Sequence, residues 1–213
     1  MSKIEIFREF RAAMREQRLS DAAVLKAELG GGGGASAEVE AKLEGLASTF
    51  PTVELEPLLE LPRGTVGREY AELLTANGLE PFRLTDRIDA AMLERNIFIA
   101  RYSLLHDVYH VLTGFDTSWG GEAGVWGFVA GQRYRWTFWL AAFAACFFYP
   151  LFSPRQAITV WRNVYRGVKM GRQASMLITL PIEERWDRSV AELRDAYGIT
   201  PTNELDVVER PAA

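Results

Sequence analysis

Apolar positions recur along most of this chain with the period of a helix rather than that of a strand. Between Ser2 and Gln17, Ile6, Phe7, Phe10 and Met14 lie at helical spacing with arginines and glutamates on the other face, the pattern of an amphipathic helix that packs one side. Ser20-Asp21 caps a second helix through Leu29, and the run Gly30 to Gly34 ends it and predicts a flexible hinge. Ser36 caps a third helix to about Leu46, stopped by Pro51. In LPRGTVGREYAELLTANG, from Leu61, the glycines give a tight entry turn and Asn77-Gly78 a helix C-cap; a phosphate loop is the rival reading, but the P-loop lysine is missing. Thr85 or Asp86 caps a helix through about Ile97, and the helical pattern continues or restarts into a segment ending near Thr113, where Gly114 offers a left-handed cap.

After Glu122 a helix carrying Val125, Phe128 and Val129 leads to Thr137, followed by the near-continuous apolar block Phe138 to Phe152. That block falls short of the roughly twenty residues a spanning helix needs, and Pro150 interrupts it. It therefore does not cross a bilayer, and is either a core helix or one that lines a lipid pocket or dips into the membrane interface. Ser153-Pro154 restarts a helix on which Arg162, Arg166 and Lys169 form one basic stripe. A last helix begins at Pro181, places Ile182, Trp186, Val190, Leu193 and Tyr197 on one face, and stops at Gly198. No segment shows a convincing period-two series and no internal repeat is visible, so the expected architecture is all-α, a single-domain multi-helix bundle. Residues 1–50 form an N-terminal helical extension with the glycine hinge, 51–200 the core domain, and 201–213 a flexible tail.

At 213 residues and 48% hydrophobic, the chain has the make-up of an ordinary globular domain. Cys146 is the single cysteine, set among apolar neighbours, so an intramolecular disulfide is impossible and a buried thiol is expected. The N-terminus lacks the apolar core of a secretory signal, and Glu5, Glu9 and Glu16 argue against a transit peptide, which gives a cytoplasmic expectation. Charge changes this picture. The net charge is −4, yet from Ala123 through Ile182 there is no acid at all, against seven basic residues from Arg133 to Arg172. A one-sign stretch around an apolar block points to an anionic surface or ligand; nucleic acid is one such partner, but with no recognisable nucleic-acid module a membrane is the favoured one.

The chemistry-bearing stretch is Arg101 to Glu122. It holds both histidines of the chain, His106 and His110, with Asp107 between them and Glu122 twelve residues on. Residues four apart stack on one helix face, so the two imidazoles can aim at one point, while Asp107 lies about 100° round the helix. A loop over Asp116 to Gly121 can return Glu122 toward them. Two histidines placed at random fall four apart about one time in a hundred, which favours a site over surface histidines with solvating acids. Two imidazoles and one or two carboxylates suit Zn²⁺, or Fe²⁺ in a two-His-one-carboxylate arrangement. The doublet His106-Asp107 also resembles that of metal-dependent HD phosphohydrolases, but no upstream histidine exists; a zinc protease would carry glutamate where Asp107 stands.

With PRGTVGREY at Pro62 to Tyr70, RYSLLHDVYHVLTGFDTSWGGE at Arg101 to Glu122, GRQA at Gly171 to Ala174 and EERWDRSVAELRDAYGI at Glu183 to Ile199, the chain resembles the coenzyme Q biosynthesis protein 4 family. Those pieces stand in the family's order and cover roughly the C-terminal two thirds; the first helices and the glycine run have no assignable counterpart. The resemblance places the family's metal motif on His106, Asp107, His110 and Glu122, with zinc as the implied ion and iron or manganese better suited to direct dioxygen chemistry.

It implies action on a polyprenylated benzoate head group, with oxidative removal of the ring C1 carboxylate and hydroxylation at that carbon. Asp107 would set proton traffic or ligand orientation, and Arg101 would meet the substrate carboxylate. The isoprenoid tail would lie in an apolar lipid groove, and Phe138, Trp139, Phe143 and Phe147 with Arg162, Arg166 and Lys169 would meet lipid at the inner membrane. Implied partners are that membrane surface and the other quinone-biosynthesis proteins, with a homodimer allowed and no nucleic acid. The alternative is a non-catalytic lipid-binding scaffold that organises those enzymes.

Overall fold

A computed structural model describes residues 1–43, 50 and 52–202. Among these it contains α1 (Lys3–Arg15), α2 (Leu19–Leu29), α3 (Ala37–Leu43), α4 (Leu55–Leu59), α5 (Val66–Asn77), α6 (Ala90–Arg95), α7 (Ile97–Thr113), α8 (Trp119–Gly131), α9 (Thr137–Phe152), α10 (Ala157–Gln173) and α11 (Val190–Tyr197). No strand is present among the described residues, only an isolated bridge between Thr65 and Ser189. The all-helical, single-domain expectation holds. The expected end of the third helix at Leu46, its stop at Pro51 and the tail beyond Thr202 lie outside the described residues.

Caps account for several of the boundaries. Ser2 and Glu5 form a reciprocal capping box on α1, Thr65 accepts from the Arg68 N–H at the start of α5, and Gly78, Gly114 and Gly198 end α5, α7 and α11 in the left-handed conformation. Two starts differ from expectation. Thr85 does not cap a helix, because its hydroxyl and backbone N–H bind the buried carboxylate of Asp21; Asp89 caps the short α6 instead. The last helix does not begin at Pro181, where the chain makes only a 3₁₀ turn over Ile182–Glu184, but at the Ser189 cap eight residues on.

The glycine run of the expected hinge lies against α7. The Gly33 N–H donates to Asn96 Oδ1 at 2.7 Å, and a Cβ on Gly33 would lie 2.4 Å from the Ile99 side chain, so this glycine lets the chain lie flat against α7. Ile6, Val24, Leu25 and Val39 belong to the same buried cluster as the core of α5 and α7, so the N-terminal helices form part of one core instead of an appendage.

Helix α7 runs through that core, with Phe98, Leu104, Leu105, Val108, Tyr109 and Leu112 buried. Its C-terminal end is braced from α11: Arg194 donates to the carbonyls of Val111 and Leu112, and the Thr202 N–H donates to that of Thr113. Helix α9 lies over α8 and α10 and buries only Phe138, Ala142 and Ala145. Pro150 cannot donate to the Cys146 carbonyl four residues earlier; the Trp161 indole N–H of α10 fills that place at 2.8 Å, so α9 remains helical through the proline.

Candidate metal centre

Helix α7 delivers His106, Asp107 and His110, and one ligand atom from each lies within 4.8 Å of the others. Glu122 comes from α8 by a shorter route than the expected loop. Ser118 caps α8 by accepting the Gly121 N–H, so Trp119 to Gly121 are already helical and Glu122 sits in the first turn, where the helix dipole favours a carboxylate. A Cβ on Gly121 would lie 1.9 Å from the Asp116 carbonyl oxygen, so only glycine allows the 116–118 turn to tuck against the start of α8. The result places Glu122 Oε2 3.6 Å from His106 Nε2 and Oε1 3.3 Å from His110 Nε2.

The two imidazoles are held differently. His110 is buried and its Nδ1 lies 3.0 Å from the Phe115 carbonyl, which can only accept, so the ring proton sits on Nδ1 and the Nε2 lone pair faces the cluster. That Nε2 is buried without a hydrogen-bond partner, an arrangement that a metal ligand would satisfy. His106 is partly buried, with Nδ1 3.5 Å from the Tyr102 hydroxyl. Tyr102, Phe138, Trp126 and Tyr149 form an aromatic wall beside these groups, in which Trp126 Nε1 donates to the Tyr149 hydroxyl at 3.0 Å.

Electrostatics follow from this crowding. Burial pushes the Glu122 carboxyl up, but the two imidazoles close beside it outweigh that and bring it down to about 2. Burial likewise raises Asp107, and the histidines offset that only in part. For His110, burial favours the neutral ring, yet the negative charge of Glu122, 3.3 Å from Nε2, and that of Asp107 win and raise its pKa. Asp107 therefore clusters with the two imidazoles, Glu122 approaches both imidazoles from α8, and one imidazole nitrogen is orphaned. This donor set fits a divalent cation with nitrogen and oxygen preference. His106, Asp107, His110 and Glu122 would hold it.

Arg101 does not join them. It stands on the opposite side of α7 from His110, nearly buried, in an ion pair with Glu183 at 2.8 Å and a hydrogen bond to the Leu180 carbonyl. Its role is to tie α7 to the 180–183 segment. A guanidinium sequestered that way cannot meet a substrate carboxylate. Phe138 also departs from expectation, because it is buried against Phe98, Tyr102 and Tyr134 and belongs to the core. Trp139 is half-exposed beneath the Arg172 guanidinium, 5.4 Å from the ring centroid. Phe143 and Phe147 are exposed, as are Arg162, Arg166 and Lys169.

Helical spacing alone did not single out Tyr102, the Phe115 carbonyl or Ser118. Ser118 with an acid in the following turn is a readable N-cap signature, whereas the other two depend on three-dimensional placement. A cavity of about 810 Å³ lies between α5, the 116–118 turn and α11. Glu69, Glu72, Asn77 and Arg194 line it together with Leu73, Val111 and Val190, and neither the four candidate ligands nor the apolar block of α9 is part of its wall.

The sequence profile of the family described as coenzyme Q (ubiquinone) biosynthesis protein Coq4 matches residues 48–203. The mitochondrial ubiquinone biosynthesis protein COQ4 homolog of Homo sapiens is 33% identical over 156 residues, covering 70% of this chain and 56% of its own length. The homolog of the same name from Rattus norvegicus is 30% identical over 164 residues, covering 72% of this chain and 57% of its own length. The chain thus spans little more than half the length of these curated relatives. In fold it is similar to the crystal structure of a candidate ubiquinone biosynthesis protein from Nostoc punctiforme, with a TM-score of 0.61 at 23% identity over 92% of this chain and 96% of that one.

Proposed function

The chain belongs to the Coq4 family of coenzyme Q (ubiquinone) biosynthesis proteins, and on that premise we propose that it is a metal-dependent oxidative decarboxylase of a polyprenylated hydroxybenzoate, replacing the ring C1 carboxylate with a hydroxyl. The observation that carries the metal reading is His110 Nε2, buried without a hydrogen-bond partner and 3.3 Å from the Glu122 carboxylate. A bound divalent ion supplies a positive centre for the head group and, if it is iron or manganese, a partner for dioxygen. His106, His110 and Glu122 hold that ion, and Asp107 is the fourth ligand or the proton carrier beside it. Its carboxyl is raised by burial, the direction that favours holding and passing on a proton. Tyr102, Trp126 and Tyr149, backed by the buried Phe138, offer aromatic surface to stack against the ring and to exclude water.

The exposed side of α9 supports delivery of the lipid-tailed substrate. Leu140, Phe143, Phe147, Phe148, Leu151 and Phe152 are all more than half exposed, Leu151 by 73%, and Ile158, Trp161 and Tyr165 of α10 extend the same kind of surface. Isolated apolar residues on a surface are ordinary, but an apolar helix left uncovered along several turns marks a docking face. On α10, at 100° per residue, the row Arg162, Arg166, Lys169 lies beside the row Ile158, Trp161, Tyr165, so cationic groups border the aromatic surface. That pairing suits an anionic bilayer, with aromatic side chains in the interface and basic ones at the head groups. No helix among the described residues is long and apolar enough to cross a membrane.

The same uncovered face favours a second reading, a lipid-bound scaffold that gathers the other enzymes of quinone synthesis around a structural metal. Expression of wild type, His110→Ala and Glu122→Ala in cells lacking the step, with quinone intermediates followed by mass, separates the two. Catalysis predicts that the carboxylated precursor accumulates with both variants and not with wild type. Normal quinone levels with a metal-free variant would leave the scaffold.

A further inference from the structure

We propose that Tyr102 is the positioning residue of the metal centre, its hydroxyl exchanging hydrogen-bond roles with His106 Nδ1 so that His106 can switch tautomer as the ion enters. The inference rests on the metal-binding reading of the site and goes beyond it by distinguishing the two histidines. Both present Nε2 to Glu122, which leaves Nδ1 as the rear nitrogen of each ring. Behind His110 stands the Phe115 carbonyl, an obligate acceptor, so this imidazole is locked with its proton on Nδ1 and its lone pair forward. Behind His106 stands the Tyr102 hydroxyl at 3.5 Å, one helical turn earlier on α7, and a hydroxyl can donate or accept.

In the metal-free protein a carboxylate faces His106 Nε2. The favourable arrangement there places the ring proton on Nε2, donated toward Glu122, while the Tyr102 O–H donates to the Nδ1 lone pair. A ligated Nε2 must offer its lone pair, so the proton resides on Nδ1 and is donated to the Tyr102 oxygen. One proton has moved from Nε2 to Nδ1, and the tyrosine keeps its own. Nδ1 of His106 faces a suitable partner in either state, which a carbonyl behind His106 would not allow. The Tyr102 ring is fixed for this task between Phe98, Tyr109 and Phe138, with its centroid 5.0 Å from that of Phe138, and it meets the His106 ring edge-on at 5.9 Å. Hydrogen-bond partners behind metal-ligating histidines set ring orientation, and their loss commonly weakens metal binding by 10- to 100-fold.

The chain has two histidines, so ¹⁵N-histidine labelling yields two imidazoles whose tautomers are read from long-range nitrogen–proton couplings. Spectra of the full chain at alkaline pH, without metal and with Zn²⁺ alone, should show His110 protonated at Nδ1 in both, and His106 changing from Nε2–H to Nδ1–H. Tyr102→Phe keeps the ring packing and removes the hydroxyl; it should bind Zn²⁺ about tenfold more weakly in chelator competition, the low end of the range because the contact is long, at an unchanged metal-free melting temperature. His106 protonated at Nδ1 in both states, or equal Zn²⁺ affinity in Tyr102→Phe, overturns the proposal. Should that variant not fold, the wild-type spectra decide alone. Failure of the wild type to take up Zn²⁺ overturns the metal reading and this proposal together, an outcome distinct from uptake with the wrong tautomer.

Discussion

His110 carries the least replaceable atom of the site, because its tautomer is set by a backbone carbonyl and its Nε2 is sealed from water. His110→Ala should abolish stoichiometric metal binding, and metal analysis of the purified variant checks it. Protons compete with the ion for that nitrogen. Since the pKa of His110 is raised above 6.5, metal affinity should be full well above that value and fall as pH drops through it, with the midpoint of loss above 6.5. A chelator titration across pH measures this. Glu122 acts in the opposite direction on the metal-free fold: its pKa falls from 4.5 in the unfolded chain to about 2, so it contributes stability present above 4.5 and lost as pH falls toward 2. Unfolding free energy measured against pH should therefore drop less steeply over that window in Glu122→Gln than in wild type. At this scale the sequence was most legible for the four candidate ligands, because helical spacing brings the α7 trio together by itself. Arg101 was misjudged for the same reason: proximity in sequence hid its position on the far side of α7, where Glu183, 82 residues away, holds it.

Among the elements, α8 and α10 make the closest pairing, with glycine facing backbone. A Cβ on Gly167 would lie 2.1 Å from the Gly124 carbonyl oxygen, and one on Gly171 2.1 Å from that of Phe128. Gly167→Ala must therefore push the two helices apart, and since α8 carries Glu122 the site widens with them. We expect a loss of about 1–3 kcal/mol in urea unfolding, with weaker metal binding than any change made on the solvent face of α10. Helix ends were legible where a glycine adopts the left-handed conformation, at Gly78, Gly114 and Gly198, because no other residue does so as cheaply. Starts were less so: Thr85 and Ser118 are both plausible caps by residue type, yet Thr85 is taken by Asp21, a contact 64 residues long-range that no local pattern contains. Pro150 pointed to a break in α9 that Trp161 prevents, again through a partner on another helix.

For the molecule as a whole, the uneven distribution of charge and apolar surface marks the face proposed to meet an anionic bilayer. The acid-free stretch from Ala123 through Ile182 became α9, α10 and the end of α8, and its unburied portion is the aromatic face bordered by Arg162, Arg166 and Lys169. Phe143→Ser with Phe147→Ser should reduce sedimentation with anionic vesicles while leaving the melting temperature nearly unchanged, because both side chains are exposed. Binding should also weaken as salt is raised, and indifference to salt or to anionic lipid would remove the electrostatic part of the claim. The sequence did reveal this asymmetry. It did not reveal that the N-terminal helices share the core or that Phe138 turns inward, since both depend on which faces meet.

Whether the site performs chemistry is tested most directly by following the carboxylate itself. Purified wild type loaded with one divalent metal, mixed with anionic vesicles containing a polyprenyl hydroxybenzoate labelled with ¹³C at the ring carboxyl, should release ¹³CO₂ in air and leave a hydroxylated ring, with neither product under argon nor with metal-free His110→Ala. Fully metal-loaded, vesicle-bound wild type that releases no label with zinc, iron or manganese would contradict catalysis at His106, Asp107, His110 and Glu122.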